Sequence, residues 1–495
     1  MSRPGAPDAP PADEPFASTV ETHTGVVVCL GDRAYKVKKP VRFPFCDFST
    51  RERRRAAVER EVALNRRLAP DVYLGVADVL GPDGDPCDHL VVMRRLPAAR
   101  RLADLVLAGA PVDDGLRSVG RVLARFHAGA RRSAAIDAEA DAGRLRSRWE
   151  ANAAGMASLV GPVLDPAVAD RVLALARRYL DGRGPLLAGR IAAGRVCDGH
   201  GDLLADDVYL LDDGPRILDC LEFDDRLRSV DGLADVASLA MDLERLGRPD
   251  LGARFLADYR AAAGDDWPAS LAHHYVAYRA QVRALVAGLR VAQGDAASAG
   301  PARALLEMAA AHLEAARVRL VVVGGLPGTG KSTLARALAR ALDAVVVRSD
   351  VVRKELAGLD PGVPAPAPAG RGLYDEASTA ATYAELLARA EQALAGGHSV
   401  VVDATFADDA WRRAAADLGR RRAADLDLVH CVAPTALSDA RLTARAAAGA
   451  DPSDATPGVA RALAATEHPW SGAVEVDTSG PLGATVRRVL SRLGA

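Results

Sequence analysis

Cysteine is scarce in this chain of 495 residues, and its placement excludes two kinds of site. The 6 cysteines form no C-x-x-C pair, which argues against a disulfide framework and against a structural zinc site. Long apolar runs are absent, since none approaches the ~18 residues that a membrane-spanning helix needs. Residues 1–15 are rich in proline, alanine and acidic side chains, unlike a secretory signal, and are predicted to be a disordered tail. We therefore expect a cytoplasmic protein in a reducing compartment, without a membrane partner.

An excess of charge of either sign is also absent, because the formal net charge is only −2. A protein that binds nucleic acid or an anionic lipid surface usually carries a positively charged face. We therefore expect no nucleic-acid partner. Apolar residues make up 49% of the chain, so large cores can form, and the length predicts more than one domain.

Lysine is rare, and its rarity points to particular segments. Only five of the 63 basic residues are lysine, and the rest are arginine. A GC-rich genome explains such a bias, because arginine then replaces lysine wherever either residue serves. The remaining lysines are enriched where a compact ammonium is needed and a planar guanidinium does not fit. Each lies in or near a segment with features of phosphate chemistry: Lys36, Lys38, Lys39, Lys331 and Lys354.

Patterning divides the chain into two domains of different architecture. Short apolar runs alternate with turns up to about residue 95, and helical spacing dominates from there to about residue 300. From residue 319 the pattern becomes β-α-β, and the Pro/Ala-rich run at 361–370 is predicted to be a loop. The predicted organisation is a first domain over 16–300, with lobes at 16–97 and 98–300, a linker helix over 301–317 and a second domain over 318–495.

The strongest motif lies at the start of the second domain. Residues 325–332, GLPGTGKS, fit the pattern G-x-x-x-x-G-K-[ST], follow a predicted buried strand and open a predicted helix. The glycines let backbone N–H groups converge on phosphate oxygens, while the lysine reaches the β- and γ-phosphates and the serine ligates Mg²⁺. The predicted nucleotide-binding residues are Gly325, Gly328, Thr329, Gly330, Lys331, Ser332 and Thr333.

Carboxylates and arginines extend this predicted site. Asp403 ends a predicted strand at 399–402 and can hold the Mg²⁺ shell. Asp350 follows the second strand and can accept the proton of an acceptor hydroxyl, although a helix cap by Ser349 or Asp350 is the alternative. Arg441 and Arg445 are four residues apart on one helix face, where they can neutralise a transferring phosphoryl group or simply face solvent.

These residues resemble the P-loop small-molecule kinases, the group of zeta-toxin, chloramphenicol phosphotransferase, polynucleotide kinase and gluconate kinase, often described as AAA-type ATPases. The resemblance covers about 318–495. It implies an α/β P-loop NTPase domain with a parallel sheet and phosphoryl transfer from ATP to a hydroxyl, with Asp350 as base or acceptor anchor. It does not choose the acceptor.

A second constellation lies in the first domain. The motif His200-Gly201-Asp202-Leu203 sits between two predicted strands, and Asp207 and Asp219 follow, the latter in a predicted strand over 216–221. A kinase-type catalytic loop has a base Asp, a metal-binding Asn five residues later and a second metal-binding Asp after a hairpin. We therefore predict Asp202 as the base and Asp207 and Asp219 as Mg²⁺ ligands. Asp207 stands where Asn is usual, and it adds negative charge to the site.

Two lysines upstream fit the same site. The period of a strand places Lys36 and Lys38 on one face, and one of them is predicted to pair with phosphate and with a helix carboxylate. Glu61 is the candidate carboxylate and Glu59 the runner-up, whereas a solvated basic edge strand is the alternative. Residues 22–25 occupy the place of a glycine-rich loop and are predicted to cover the phosphates.

These residues resemble the aminoglycoside phosphotransferase (APH-like) kinases. The segments AYKVKKPV, GHGDL and LDCLEFDDRLRSVDGLADVA, together with Phe126-His127, are similar to one fused family described as bifunctional aminoglycoside phosphotransferase/ATP-binding proteins. The resemblance covers nearly the whole chain and implies an α+β, protein-kinase-like bilobal domain fused to the α/β P-loop domain. It does not establish aminoglycosides as substrates.

The resulting hypothesis is a bifunctional phosphotransferase that uses ATP and Mg²⁺ at two sites to phosphorylate hydroxyls of small molecules. One alternative makes the first domain a degenerate kinase that senses a metabolite or partner and regulates the second. Another makes the second domain a nucleic-acid end kinase. A predicted helix also presents Arg279, Arg283 and Arg290 on one face, which fits either a solvated, salt-bridged surface or a binding face for an anionic acceptor.

Overall fold

The computed structural model describes residues 14–21, 24–43, 46–363, 372–448 and 453–494. Most of the predicted tail, Thr22 and His23 of the predicted phosphate cover, and most of the loop at 361–370 therefore lie outside the described residues. The chain divides into two compact units. The predicted domain boundaries stay a prediction. The first unit consists of Met1–Asp170, Leu187–Trp267 and Tyr275–His312, and the second of Arg171–Leu186, Pro268–His274 and Leu313–Ala495.

The N-terminal part of the first unit is built on an antiparallel sheet and one helix. Its elements are β1 (Ala17–Glu21), β2 (Gly25–Leu30), β3 (Arg33–Lys38), β4 (Arg42–Phe43), β5 (Cys46–Asp47), α1 (Arg51–Asn65), β6 (Tyr73–Leu80) and β7 (Pro86–Arg94). The sheet order is β1-β2-β3-β7-β6, and β4 pairs with β5. Thr50 caps α1 by accepting a hydrogen bond from the backbone N–H of Arg53. Val58 and Val62 of α1 join the apolar core on the sheet, which brings Glu61 over the strands.

Helices dominate the chain from residue 98 to residue 315, where they are α2 (Leu102–Leu107), α3 (Asp113–Gly129), α4 (Ala134–Asp137), α5 (Ala142–Gly155), α6 (Pro166–Gly182), α7 (Gly184–Ala192), α8 (Asp225–Arg228), α9 (Gly232–Arg245), α10 (Pro249–Ala263), α11 (Ala269–Ala292) and α12 (Ala299–Ala315). Two short antiparallel pairs, β8 with β11 and β9 with β10, frame the predicted catalytic loop. Their strands are β8 (Val196–Asp198), β9 (Val208–Leu211), β10 (Gly214–Ile217) and β11 (Ser229–Asp231). Helix α9 is buried along most of its length, so its polar side chains must bond inside the protein.

A parallel sheet forms the centre of the second unit. Its further elements are β12 (Arg319–Gly324), α13 (Lys331–Ala341), β13 (Val345–Arg348), α14 (Ser349–Leu356), α15 (Glu376–Ala395), β14 (Val400–Asp403), α16 (Asp409–Arg421), β15 (Asp425–Val432), α17 (Thr435–Ala448), α18 (Pro457–Ala464), β16 (Val474–Asp477) and α19 (Leu482–Leu493). The order is β13-β14-β12-β15-β16. Every residue of β12 and β14 is buried, as their unbroken apolar runs predict. Val323 pairs with Asp403, so the carboxyl ends of these two strands lie side by side.

Two segments from the first 300 residues are integral to the second unit. The Ser270 hydroxyl donates a 2.6 Å hydrogen bond to the backbone carbonyl of Gly397, and Arg183 donates one of 2.6 Å to the carbonyl of Leu394. A Cβ atom on Gly182 would lie 2.1 Å from the carbonyl oxygen of Arg422, so the two backbones are in direct contact. These segments are therefore bonded to the backbone of the second unit.

Across the described part of the chain, no helix has both the length and the apolar character to cross a membrane.

Candidate active sites

The lysines of β3 form a buried charge cluster with Glu61. The Lys36 ammonium lies 2.8 Å from one carboxylate oxygen of Glu61, and the Lys38 ammonium lies 2.7 Å from the other. Lys36 also contacts Asp219 at 2.5 Å, and Lys38 contacts Glu222 at 2.5 Å. Glu61 has no exposed surface, so two cations hold its charge inside the protein. The solvated edge strand is therefore not what the structure contains.

Charge balance keeps this cluster ionised. Burial by itself would raise the pKa of Glu61, but Lys36 and Lys38 outweigh burial and lower it. Burial likewise opposes the charge of Asp219, yet Lys36 brings its pKa down to about 2. Glu59, the runner-up for the lysine partner, lies at the surface and pairs with Arg55. Lys36 is 13% exposed and Lys38 only 2%, so Lys36 is the more open of the two ammonium groups.

A buried carboxylate holds the loop that carries Asp202. Asp235 of α9 accepts hydrogen bonds from the backbone N–H groups of His200, at 2.6 Å, and Gly201, at 2.9 Å. It also bonds the His127 ring at 3.0 Å. Burial opposes the charge of Asp235, but the bond from His127 and neighbouring positive charges hold its pKa well below the usual range. Asp235 lies in the segment LDCLEFDDRLRSVDGLADVA, whose sequence predicts no role for this residue.

The predicted metal ligands lie close together in the same unit. The predicted strand over 216–221 ends instead at Ile217, and Asp219 adopts a left-handed backbone conformation with φ 60°. The Tyr73 hydroxyl accepts a 3.2 Å hydrogen bond from the backbone N–H of Asp219, which supports this turn. Burial, with the negative charges of Asp219 and Asp202, raises the pKa of Asp207 well above its usual value. Such crowding of carboxylates is relieved when a cation binds between them.

The predicted phosphate-binding motif of the second unit forms an open backbone cradle. Gly325, Gly328 and Gly330 have φ values of 129°, 85° and 84°, in the region that favours glycine. A Cβ on Gly325 would meet the Cys431 carbonyl oxygen at 2.3 Å, and one on Gly328 would meet the Ser438 carbonyl oxygen at 2.6 Å. Glycine is therefore required at both positions. The loop leads into α13, whose N-terminus favours anions.

Lys331 and Thr329 close this loop on itself. The Lys331 ammonium donates a 3.0 Å hydrogen bond to the carbonyl of Leu326, and the Thr329 hydroxyl donates one of 2.8 Å to the same oxygen. Burial lowers the pKa of Lys331, although Asp403 and Asp350 oppose it. The Thr478 hydroxyl donates a 2.6 Å hydrogen bond to the carbonyl of Thr329. The loop is thus preorganised by its own lysine and by a threonine that sequence reasoning missed.

Asp403, which the parallel register places opposite Val323, also lies beside Ser332. The Ser332 hydroxyl bonds this carboxylate, and Arg348 donates a 3.2 Å hydrogen bond to it. Burial raises the pKa of Asp403, although Lys331 opposes the shift. A hydroxyl and a carboxylate at the head of the phosphate cradle are hard oxygen donors, which fit Mg²⁺.

Asp350 lies in the first turn of α14. The residue before the helix is Arg348, and no side chain caps it, so the capping alternative for Ser349 or Asp350 does not hold. Lys354 is directed elsewhere: its buried ammonium lies 3.0 Å from Asp454 and bonds the carbonyl of Val363 at 2.8 Å. The rarity of lysine therefore pointed to a structural ion pair, Lys354 with Asp454, as well as to Lys331 of the predicted phosphate-binding motif.

The two arginines of α17 border a cavity of about 360 Å³ over the phosphate loop, which Lys331, Ser332 and Thr333 also line. Arg441 donates hydrogen bonds to the hydroxyl of Thr478, at 3.1 Å, and to its carbonyl, at 2.8 Å. Arg445 donates one of 3.1 Å to the carbonyl of Ala455. Both guanidinium groups are therefore fixed at the cavity, where an anion would offset their like charges.

A nucleotide-bound Mg²⁺ requires few ligands from the protein. Within the described ranges, no group of three or more His, Cys, Asp or Glu side chains is arranged to hold a metal ion. The carboxylate pair Asp207 and Asp219, and the pair Ser332 and Asp403, are smaller donor sets. Mg²⁺ commonly takes one or two protein carboxylates together with phosphate oxygens and water, so these sets fit a nucleotide-bound Mg²⁺.

Comparisons with known proteins agree with two kinase-like domains. The model of the phosphotransferase enzyme family matches residues 30–273, and the model of an AAA domain matches residues 320–469. Uncharacterized proteins of Mycobacterium tuberculosis and Mycobacterium bovis are 45% identical over 482 residues, which cover 96% of this chain and 95% of theirs.

Two solved structures are similar to parts of the chain. The GDP complex of an aminoglycoside 2′-phosphotransferase-IIIa has 18% identity and a TM-score of 0.37 over 60% of this chain and 94% of its own. The APS kinase of Mycobacterium tuberculosis with AMPPNP and APS has 23% identity and a TM-score of 0.28 over 36% of this chain and 99% of its own. The chain belongs to the same family as the mycobacterial proteins, and it is a phosphotransferase enzyme that joins an APH-type domain to an AAA-type P-loop kinase domain.

Proposed function

We propose that this enzyme is bifunctional, and that each domain transfers the γ-phosphoryl group of ATP to a hydroxyl of a small molecule. The observation that carries the proposal is the presence of a complete set of groups in each unit. One set is the chain of contacts Glu61–Lys36–Asp219, and the other is the glycine cradle with Lys331 and Ser332 beside Asp403. Each set combines a lysine for phosphate with oxygen donors for Mg²⁺.

In the first domain we assign Lys36 to phosphate and Lys38 to a supporting role. Lys36 is the more exposed lysine and reaches Asp219, whereas Lys38 is fixed between Glu61 and Glu222. Asp207 and Asp219 would hold Mg²⁺, which neutralises phosphate charge during transfer. Asp202 receives or orients the acceptor hydroxyl, and Asp235 keeps it in place through the two backbone N–H groups that precede it.

In the second domain the backbone of the cradle and Lys331 bind the β- and γ-phosphates. Ser332 and Asp403 would hold Mg²⁺ there. Arg441 and Arg445 border the same cavity and offset the charge that develops on the transferring group. Asp350, which is close enough to shift the pKa of Lys331, accepts the proton of the acceptor hydroxyl.

A second candidate function applies to the first domain alone. Asp207, in the position where such loops carry Asn, crowds Asp219 and Asp202 enough to raise its own pKa. A carboxyl with a raised pKa is more readily protonated and then ligates Mg²⁺ poorly, which favours a sensor domain that binds a metabolite and regulates the second domain. The experiment described next separates this sensor function from the kinase function.

The experiment incubates the full-length protein with ATP and a cell metabolite extract and detects, by mass spectrometry, the compounds that gain one phosphoryl group. We expect two sets of products, one abolished by Asp202→Asn and the other by Lys331→Ala. Loss of a general base costs about 10²–10⁴-fold in rate. Matched controls are Asp206→Asn and Arg340→Ala, which change exposed neighbours in the chain.

The outcomes separate the candidate functions. If Asp202→Asn leaves every product unchanged, the first domain is not a kinase and the sensor function replaces it. If Lys331→Ala abolishes all products, a single shared nucleotide site is responsible. Calorimetric titration with an ATP analogue gives an independent check, because Lys331→Ala is expected to leave one of two binding events.

A further inference from the structure

The arginines of α11 have distinct roles in the first unit. Arg279 is buried and supports the loop from behind: it donates a 2.6 Å hydrogen bond to the carbonyl of Gly201 and one of 3.2 Å to the carbonyl of Ala234. Arg283, one helical turn later, lies 3.5 Å from a carboxylate oxygen of Asp202. The arginines predicted to share one helix face thus have different surroundings. Arg279 supports the loop, and Arg283 lies beside the proposed base Asp202.

Arg283 is available to a ligand. Its side chain is 24% exposed and that of Asp202 is 36% exposed, so both can be reached from solvent. Its contact with Asp202 is a single long one, which leaves most of the five guanidinium N–H donors for another acceptor group. The two lysines of the site, by contrast, are each bonded to two carboxylates.

We propose that Arg283 determines acceptor specificity by binding an anionic substituent, a carboxylate or a phosphate, on the molecule whose hydroxyl is phosphorylated at Asp202. This inference rests on the proposed function of the first domain. A guanidinium matches carboxylate and phosphate geometry with paired hydrogen bonds. A hydroxyl that approaches Asp202 passes beside this cation, so an acceptor with ammonium groups near the reacting hydroxyl is repelled.

The transfer step places Arg283 beside the reacting atoms. The acceptor oxygen forms a bond to the γ-phosphorus of ATP, the bond from that phosphorus to the β–γ bridging oxygen breaks, and ADP leaves. The hydroxyl proton passes to the Asp202 carboxylate. Arg283 fixes the anionic substituent and so orients the hydroxyl toward Asp202, which lowers the entropic barrier to reaction.

The experiment identifies the charge class of the acceptor. All proteins are full length and carry Lys331→Ala, so that label arises only in the first domain. A metabolite extract is separated by ion exchange into anionic, neutral and cationic fractions before protein and γ-labelled ATP are added, and Asp202→Asn defines the background. We expect Asp202-dependent label in the anionic fraction. Label in the neutral or cationic fraction instead overturns the inference, and no Asp202-dependent label in any fraction overturns the proposed function with it.

A second measurement tests Arg283 itself. With the anionic fraction titrated as acceptor, Arg283→Gln is expected to raise the half-saturating concentration about 10- to 100-fold, the range of a charge-assisted hydrogen bond. The KM for ATP and the thermal unfolding temperature are expected to stay unchanged, and Arg283→Lys to recover part of the loss. Arg290→Gln, on the same helix, is the matched control. An unchanged half-saturating concentration, or equal effects of Arg283→Gln and Arg290→Gln, contradicts the proposal.

Discussion

Replacing Asp235 by asparagine tests how the proposed catalytic loop is held in place. The carboxylate accepts backbone hydrogen bonds from His200 at 2.6 Å and Gly201 at 2.9 Å, with no exposed surface. An asparagine can accept with one oxygen only, and its amide donor would face a backbone N–H. The change removes a charge-assisted hydrogen bond, worth about 1.5–3 kcal/mol, and leaves a buried donor unsatisfied, worth about 1–3 kcal/mol. We therefore expect a loss of about 3–5 kcal/mol in local stability.

Hydrogen exchange of the full-length chain measures this loss directly. The amides of His200 and Gly201 are expected to exchange at least ~100-fold faster in Asp235→Asn, because each 1.4 kcal/mol is about tenfold in an opening equilibrium. Amides of β12, in the other compact unit, serve as the internal reference. Asp250→Asn, at an exposed aspartate paired with Arg248, is the matched control. Acceleration of less than about threefold would refute the role assigned to Asp235.

The same carboxylate gives a pH dependence with a definite sign. The pKa of Asp235 in the folded protein lies below its usual value, because the His127 bond and nearby positive charges outweigh burial. On acidification the unfolded chain binds the proton first, near pH ~3.9, so the stability due to Asp235 is complete above that pH and is lost as the pH falls toward the folded pKa. Calorimetric unfolding at neutral and acid pH is expected to show a smaller acid loss in Asp235→Asn than in the wild type.

Three further substitutions test the groups proposed to bind or support phosphate. Lys38→Met is expected to lower the free energy of unfolding by about 3–5 kcal/mol, measured by urea denaturation, because the buried carboxyls of Glu61 and Glu222 would lose the cation that they share, and burial already raises the pKa of Glu222. Lys36→Met is expected to reduce kcat of the first domain more than ~100-fold in steady-state assays; equal kinetic effects of both variants would contradict the assignment. Gly328→Ala is expected to weaken nucleotide binding at least ~10-fold by calorimetric titration, since φ is 85° and the Ser438 carbonyl is 2.6 Å away.

Local patterns gave most of the architecture. The valine runs of β12 and β14 predicted buried parallel strands within one or two residues of their observed ends, because a strand covered on both faces must be apolar throughout. Edge strand β1 was not predicted, since it is largely exposed and has no apolar signal. The strand expected over 216–221 ends at Ile217, because the Asn65 side chain bonds the backbone N–H of Cys220 and stabilises a turn instead.

The partners of the site residues were harder to predict. The sequence singles out Asp219 and leaves Lys36 and Lys38 as alternatives, and the contact of Lys36 with Asp219 joins residues 183 positions apart. Glu222, which pairs with Lys38, and Thr478, which bonds the phosphate loop, have no spacing rule that singles them out. Such partners are set by packing between distant segments, and an isolated sequence contains no signal for that packing.

The discontinuous second unit limits how such a chain can evolve. Ser270 and Arg183 donate hydrogen bonds to the carbonyls of Gly397 and Leu394, so a gene fragment that begins at the phosphate-loop strand would encode a unit with these backbone acceptors deprived of their donors. A single recombination break between the two predicted catalytic motifs would therefore leave these two carbonyls of the C-terminal half without their donors. The second unit is thus encoded in part by segments that precede its main body by more than a hundred positions in the sequence for Arg171–Leu186 and by fewer for Pro268–His274.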